Sequence, residues 1–426
     1  MNHRCAGPLI VLAVAIAFTG GCRRATPGDL AEADLPSPIV DDVGSYTATT
    51  IGSPFEGKPW ITHLTISDLD RDGRPDILAC DSQKNAIVWL RQITPTEFAE
   101  TAVMSDLAAP VHITAVDMDG DADLDLIVAC MGQIFPTNDR IGSIVVLEND
   151  GMQRFTKHVI AERTARVTDV QSGDFNGDGR RDLAVGQFGY DQGEIRWMEN
   201  RGGWRFDSHS LLNLSGTVNV CVADFDGNGR EDIVAVVSQQ YEEIHLFDNT
   251  SSGSFGHKVI FGSINEDFGS SGLSICDLNR DGRPDLLYSN GDGFDYADPG
   301  SRPWHGVQWL ENRGGGDFRY HRIGDLPGAY SPVGADVNGD GKIDVVAVSG
   351  FNDWKDPGAV SLIAYHNDGN QRFTAHVLAH APTHLVTVAT ADFDADGRPE
   401  LITGGFHAYP PWDRMSRIML WSQKKP

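Results

Sequence analysis

From residue 45 onward the apolar positions recur in short runs, each bounded by Gly, Asn or Asp, and no long stretch follows a helical period. Small and β-branched residues make the first run, as in "HLTISD", "HITAVD", "NVCVAD" and "VTVATAD". An acidic loop follows, and then a continuous apolar run: "DILAC", "DLAVG", "DIVAV", "DLLYS" or "DVVAV". A third run closes on an Asn or Asp turn ("IVVLENDG", "IRWMENRG", "VQWLENRG", "LIAYHNDG"). The fourth opens on an aromatic ("RFTKHVI", "RFDSHSL", "SFGHKVI", "DFRYHRI", "RFTAHVL"). Short β-forming runs punctuated by turn residues predict strands joined by hairpins, so the chain reads as all-β.

This quartet occurs seven times. Its most constant part is the acidic loop: "DLDRDGRPD" (68–76), "DMDGDADLD" (117–125), "DFNGDGRRD" (174–182), "DFDGNGRED" (224–232), "DLNRDGRPD" (277–285), "DVNGDGKID" (336–344) and "DFDADGRPE" (392–400). Successive loops begin 49 to 59 residues apart, the length of a four-stranded propeller blade. The last copy ends after its third strand, at "SRIMLWSQKKP", whereas "SYTATTIG" (45–52) reads like a fourth strand placed before the first copy. Closing a ring with that strand leaves no unpaired edge there. The expected fold over residues 45–426 is therefore a seven-bladed β-propeller of four-stranded antiparallel blades, its N-terminal strand completing the last blade.

Ahead of the repeats, "AGPLIVLAVAIAF" is too short an apolar run to span a bilayer comfortably. With "TGGC" behind it, it resembles a bacterial lipoprotein signal, although Thr19 stands where that family's motif usually has Leu. The resemblance implies a signal peptide over 1–21, lipidation of Cys22 and a flexible Pro/acidic tether over 22–44. An exported protein is the expectation, held in the cell envelope by lipid alone, or secreted if ordinary signal peptidase cleavage leaves it without lipid. A formal charge of −26 excludes an electrostatic grip on nucleic acid or anionic lipid. Cys80, Cys130, Cys221 and Cys276 lack metal-site spacing and read as buried free thiols.

The loop pattern Asp-x-Asp/Asn-x-Asp/Asn-Gly-x-x-Asp has the form of a calcium site. Positions 1, 3 and 5 offer hard oxygens, Gly permits the sharp turn, and the acid at position 9 closes the shell. Zinc would call for His or thiolate, which the loops do not supply. Three or four carboxylates around one turn repel unless a cation neutralises them, which counts against a bare acidic turn. The expected ligands are Asp68, Asp70, Asp72 and Asp76; Asp117, Asp119, Asp121 and Asp125; and Asp174, Asn176, Asp178 and Asp182. The remaining loops supply Asp224, Asp226, Asn228 and Asp232; Asp277, Asn279, Asp281 and Asp285; Asp336, Asn338, Asp340 and Asp344; and Asp392, Asp394, Asp396 and Glu400.

These loops, in one register and one strand context, resemble the FG-GAP and VCBS repeat families, which also form the propeller at the head of integrin alpha chains. The resemblance implies up to seven Ca²⁺ ions, one per loop, on one face of the disc. Ala122 replaces the usual Gly, making the second loop the least complete copy, and Glu400 replaces the usual Asp.

On the opposite face the loops between second and third strands are long and rich in aromatics. Tyr190, Tyr296, Trp304, Trp354, Tyr409 and Trp412, with Phe135, Phe188, Phe294, Phe351 and Phe406, form a candidate ligand-binding rim. Such a rim suits a glycan or a protein partner; packing among the long loops is the plain alternative. Five residues before each loop's first acid lie His63, His112, Asp169, Asn219, Gly272, Ser331 and Thr387, near the channel mouth. His63, His112 and Asp169 could act as acid and base or hold a transition metal, with His384 and His407 approaching them; a hydrated polar lining is the alternative. The residues favour a binding module, or a scaffolding subunit using the same rim, over an enzyme. The rival reading is a carbohydrate-active lyase or dehydratase with its site at that mouth.

Overall fold

A computed structural model describes residues 38–189, 191–239, 241–294 and 299–424. The proposed signal peptide and Cys22 lie outside the described residues. Among the described residues there is no helix, and so none that is long and apolar enough to cross a membrane.

Seven sheets form the blades, numbered here in the order of their acidic loops. Blade 1 consists of Ile61–Ser67, Asp76–Asp81, Ala86–Thr94 and Glu97–Met104, and blades 2 to 6 repeat this antiparallel order. Blade 7 is closed as expected: Tyr46–Thr50 pairs antiparallel with Ile418–Gln423, Tyr46 facing Gln423 and Thr50 facing Met419. Each innermost strand packs beside the next, and that of blade 7 beside that of blade 1, so the array is a ring.

The core lies between blades. Seven hydrophobic clusters each draw on two neighbouring sheets; Leu78, Cys80 and Leu126, for example, join blades 1 and 2. The second strand of every blade is covered on both faces, which is why "DILAC" reads as a continuous apolar run without alternation. Cys80, Cys130 and Cys221 are buried free thiols, and Cys276 is half-buried.

The tether departs from expectation. Ile39–Asp41 forms a strand parallel to the outer strand of blade 6, Phe373–Ala379, so that sheet has five strands. Ala375 N–H donates to Pro38 O at 2.7 Å, and Asp42 Oδ2 lies 2.5 Å from His376 Nδ1. An outer edge with free backbone groups accepts any extended segment that reaches it.

The ring is tied where its ends meet by Arg417, buried to 1% exposure. Its guanidinium donates to both Glu100 oxygens at 2.8 and 2.9 Å and to Asp81 Oδ2 at 3.2 Å, linking blade 7 to blade 1.

Candidate functional site

The acidic loops join the first strand to the second at one end of each blade. All seven fold alike. The first acid accepts the backbone N–H of position 6 at 2.7 to 2.9 Å, as Gly73 does to Asp68 and Gly341 to Asp336. Ala122 does the same, at a φ of 76° like that of the glycines, so the missing Gly costs the second loop none of its shape.

The acid at position 9 is buried and acts as a strut. Asp76 Oδ2 accepts from Leu69 N–H, and its Oδ1 from Gln92 N–H on the third strand at 2.8 Å. Equivalent bonds from the third strand reach Asp125, Asp182, Asp232, Asp285 and Asp344 at 2.7 to 2.8 Å. Position 2 is an apolar plug between blades, buried in every copy (Leu69, Met118, Phe175, Phe225, Leu278, Val337, Phe393).

The donors fit a hard cation. In four loops three carboxylate oxygens lie within 4.8 Å of one another: Asp68, Asp70 and Asp76; Asp117, Asp119 and Asp125; Asp224, Asp226 and Asp232; Asp392, Asp394 and Glu400. The other three loops carry Asn176, Asn279 or Asn338 at position 3, where the oxygen donor is an amide. Asp68 Oδ1 and Asp344 Oδ2 are buried without a hydrogen-bond partner, as expected of atoms reserved for a metal. Position 5 turns partly away: Asp72, Asp178 and Asp281 are each paired with the Arg two residues on.

Burial lifts Asp76, Asp125, Asp182, Asp232, Asp285 and Asp344 to about 6, against the N–H groups that pull them down. In cation-free protein these acids therefore bind protons more readily folded than unfolded, where they titrate near the ordinary 3.8. Cation-free protein should then gain stability as pH falls from 7 towards 4. A cation held there would compete with those protons, so a rise in Tm on adding calcium should shrink between pH 7 and pH 5. Melts at both pH values, with and without calcium, check this; a rise independent of pH would remove these acids from the cation's shell.

At the other end of the blades a cavity of about 730 Å³ opens into the channel, lined by His63, His112, Asp169, Asn219, Ser331 and Thr387 among others. A repeated bulge aims these side chains. The pairing of first and second strands skips one residue between Ile61 and His63, Pro110 and His112, Val167 and Asp169, Thr217 and Asn219, Ser270 and Gly272, and Leu385 and Thr387. In blade 6 the skip runs from Tyr330 to Val333. A bulge re-directs the next side chain, here towards the neighbouring blade.

Four of them bond to that neighbour's backbone. His63 Nδ1 accepts from Ile113 N–H at 3.3 Å, Asp169 Oδ2 from Val220 N–H at 3.0 Å, Ser331 Oγ from Val388 N–H at 3.3 Å and Thr387 Oγ1 from Leu64 N–H at 3.2 Å. Thr62, Thr168 and Ser271, the bulged residues, donate to carbonyls of the next blade at 3.0, 2.8 and 2.6 Å. Innermost strands of adjacent blades are not ladder partners, so these side chains form a hydrogen-bonded belt around the channel.

The structure does bring His63, His112 and Asp169 together. The two rings lie 3.9 Å apart between centroids with their planes tilted by 31°, and His112 Nδ1 lies 3.1 Å from Asp169 Oδ1, off the line of a hydrogen bond. Burial holds His63 well below its usual range and His112 down to about 3, and pushes Asp169 up to about 7. Among the described residues the groups of three or more convergent metal donors all lie in acidic loops. His384 and His407 do not join these three: His384 packs on Trp354 at 5.3 Å, and His407 Nε2 accepts from Ser416 N–H at 3.0 Å.

Much of the aromatic rim packs on itself. Phe294 meets Phe351, Phe406 and Tyr409 at 4.8, 5.6 and 6.0 Å, and Phe135 meets Tyr409 at 6.5 Å. Trp354 is only 6% exposed, because it is packed under the loops, and so presents no platform. Trp304 Nε1 donates to Asp267 O, while Trp412 is 42% exposed with Lys58 Nζ 3.3 Å from its ring centre. Tyr190 and Tyr296 lie outside the described residues. Of the histidines on outer strands, His158, His209 and His321 stack on Trp204, Trp197 and Trp309 at 4.7, 4.5 and 4.5 Å and serve the scaffold.

Seven four-stranded blades, each opening on the same acidic hairpin around a central channel, define a β-propeller built of acidic-loop repeats. An FG-GAP-like repeat profile matches residues 68–128, 174–235, 224–288 and 336–403, more than half of the chain, and the protein belongs to that family. The chain matches none of the curated proteins it was compared with. Among solved structures it is similar to BBS1N in complex with ARL6DN, in a crystal soaked with lead, at 11% identity and a TM-score of 0.54, covering 91% of this chain and 98% of that one. It is also similar to a streptogramin B lyase structure at 13% identity and a TM-score of 0.54, covering 89% of this chain and 98% of that one. At such identities the likeness is one of fold.

Proposed function

We propose that the protein is a calcium-stabilised β-propeller that binds a glycan or protein ligand at the cavity opposite its acidic loops. Bound at the loops, calcium supplies the positive charge that lets the buried position-9 acids stay ionised. The loops then serve as fixings for the hairpins, and the ligand surface lies at the other end of the blades. The observation that carries this reading is the belt. Four of the polar groups nearest the channel mouth, His63, Asp169, Ser331 and Thr387, join neighbouring blades, and they line a cavity of ligand size. Lipidation of Cys22 would hold this module in the bacterial envelope; loss of palmitate labelling in Cys22→Ser tests that.

One observation favours the rival, a carbohydrate lyase or dehydratase: His63, His112 and Asp169 share the cavity. A glycan array followed by product analysis separates the two. Retention without turnover supports the binding module; unsaturated or shortened sugars support the enzyme.

The belt makes its own prediction. Asp169→Asn keeps an acceptor for Val220 N–H and should leave the fold intact. Asp169→Leu and Thr387→Val each orphan a buried N–H and should cost about 1–3 kcal/mol in denaturant melts. Equal stability in all three variants would remove the belt's structural role.

A further inference from the structure

The belt fixes which atoms its members can still offer. A hydroxyl or ring nitrogen that accepts a backbone N–H turns its own proton elsewhere. Ser331, Thr387 and His63, on the consecutive blades 6, 7 and 1, all accept in this way, from Val388, Leu64 and Ile113. Val388 follows Thr387 and Leu64 follows His63, so the three groups stand side by side around the channel. An accepting Nδ1 leaves the proton of a neutral imidazole on Nε2. Burial, and then the neighbouring His112, hold His63 well below its usual range, so it is uncharged at neutral pH. Two O–H groups and one N–H group are thus left over, and none donates to a described residue. All three residues line the cavity.

The same sector carries an apolar wall. Tyr330 and Val386 immediately precede Ser331 and Thr387, and with Phe294 and Phe406 they line the cavity. Phe406 packs on Phe294 and on Trp60, each at 5.6 Å. The charged lining residues lie on blades 3 and 5: Arg166 and Asp169 on the first, and on the second Asp292, which accepts from Tyr330 O–H at 2.9 Å.

An arc of uncharged donors has a plain chemical preference. A ligand hydroxyl brings a proton for which these three side chains hold no acceptor, whereas a carbonyl oxygen only accepts. An anionic oxygen would meet neutral donors beside the acidic Asp292, with no cation in the sector to offset its desolvation. A peptide alternates each carbonyl with an N–H and would present both to the arc. A carbonyl carrying a methyl group suits the arc and the wall together.

We propose that the cavity takes an acetylated sugar, the acetyl oxygen accepting from the Ser331–Thr387–His63 arc and the acetyl methyl lying against Phe406 and Val386. This rests on the reading of the cavity as a ligand site and deepens it, naming one class of glycan.

Calorimetric titration of the full-length chain, in excess calcium, with N,N′-diacetylchitobiose, O-acetylated cellobiose and cellobiose tests the proposal. At least one acetylated sugar should bind about tenfold or more tightly than cellobiose, and which one does so tells amide from ester. Its acetyl methyl protons should shift upfield in the NMR spectrum as the aromatic rings enclose them. Ser331→Ala should remove most of the preference and leave the weaker cellobiose binding little changed. The comparison of sugars on the unaltered protein decides the matter if Ser331→Ala fails to fold. Equal binding of the three sugars overturns this proposal alone and leaves the cavity a glycan site. Tighter binding of N-acetylalanine methylamide than of either acetylated sugar overturns it in favour of a peptide ligand. Absence of binding by every probe overturns it as well, and the wider reading falls with it only if the glycan array is also blank.

Discussion

Chelating divalent cations is expected to lower the melting temperature by roughly 10–20 °C relative to calcium-saturated protein. A ligand at about 100 times its Kd stabilises the folded state by about 2.7 kcal/mol per site. The seven loops share one fold, and their position-9 acids brace the third strand of each blade, so the contributions add around the ring. Unfolding entropy grows with chain length, so each kcal/mol is worth only about 1 °C in a domain of this size. The total is large because the sites are many. Scanning calorimetry in EDTA and in excess Ca²⁺ gives the answer, and superimposable melts would refute calcium as the fixing agent. Magnesium should replace calcium poorly, since it demands near-octahedral geometry and parts from its water reluctantly.

Arg417→Met should destabilise the propeller by about 3–5 kcal/mol. Arg417 and Asp81 are buried to 1% exposure each, so removing the guanidinium leaves Asp81 and Glu100 with only the exposed Lys84, 3.8 Å from Asp81, as a counter-charge. Burial opposes ionisation of Glu100, yet the Arg417 hydrogen bonds and charge, the Ser53 N–H and Lys84 together outweigh it and hold the carboxyl below its usual range. That contribution is present at neutral pH and is lost as pH falls through the lowered pKa. Neutralising both acids in the same background, Asp81→Asn with Glu100→Gln, should recover much of the loss, because most of the cost is uncompensated charge. Urea melts of the single and triple variants distinguish this from a packing defect, in which the added changes would recover nothing. The network joins the first and last blades, so Arg417→Met should also expose residues 45–52 to limited proteolysis before the rest of the ring.

The seven loops were legible because they are local and repeated, and the ring closure, which pairs Tyr46–Thr50 with Ile418–Gln423, because the repeat leaves one strand to be matched. The Asp–Gly turn chemistry of "DFNGDGRRD" specifies a hairpin wherever it occurs, and a missing fourth strand at one end with a spare strand at the other has one economical solution. Ala122 illustrates the limit of reading such a motif by residue type alone. Its backbone still reaches the left-handed conformation.

Counting back from each loop picked out His63, His112 and Asp169, which the structure brings to one cavity, but their role was not legible. Nothing in "HLTISD" or "TDVQSGD" tells that a bulge directs His63 and Asp169 onto the next blade's backbone. The rim likewise: aromatics in variable loops look alike whether they face solvent or, like Trp354 and Phe351, fill the space beneath. The strand at Ile39–Asp41 was missed because an edge accepts a partner by its backbone, which leaves little trace in side-chain pattern.

The amino-acid order alone determined the blade, the number of blades, the acidic loops and the strand that shuts the ring, since each follows from a local pattern or from its repetition along the chain. Only the tertiary structure decided which polar groups remain available. That depends on what the adjoining blade presents across the gap, as the Ile113 and Val220 N–H groups do to the belt.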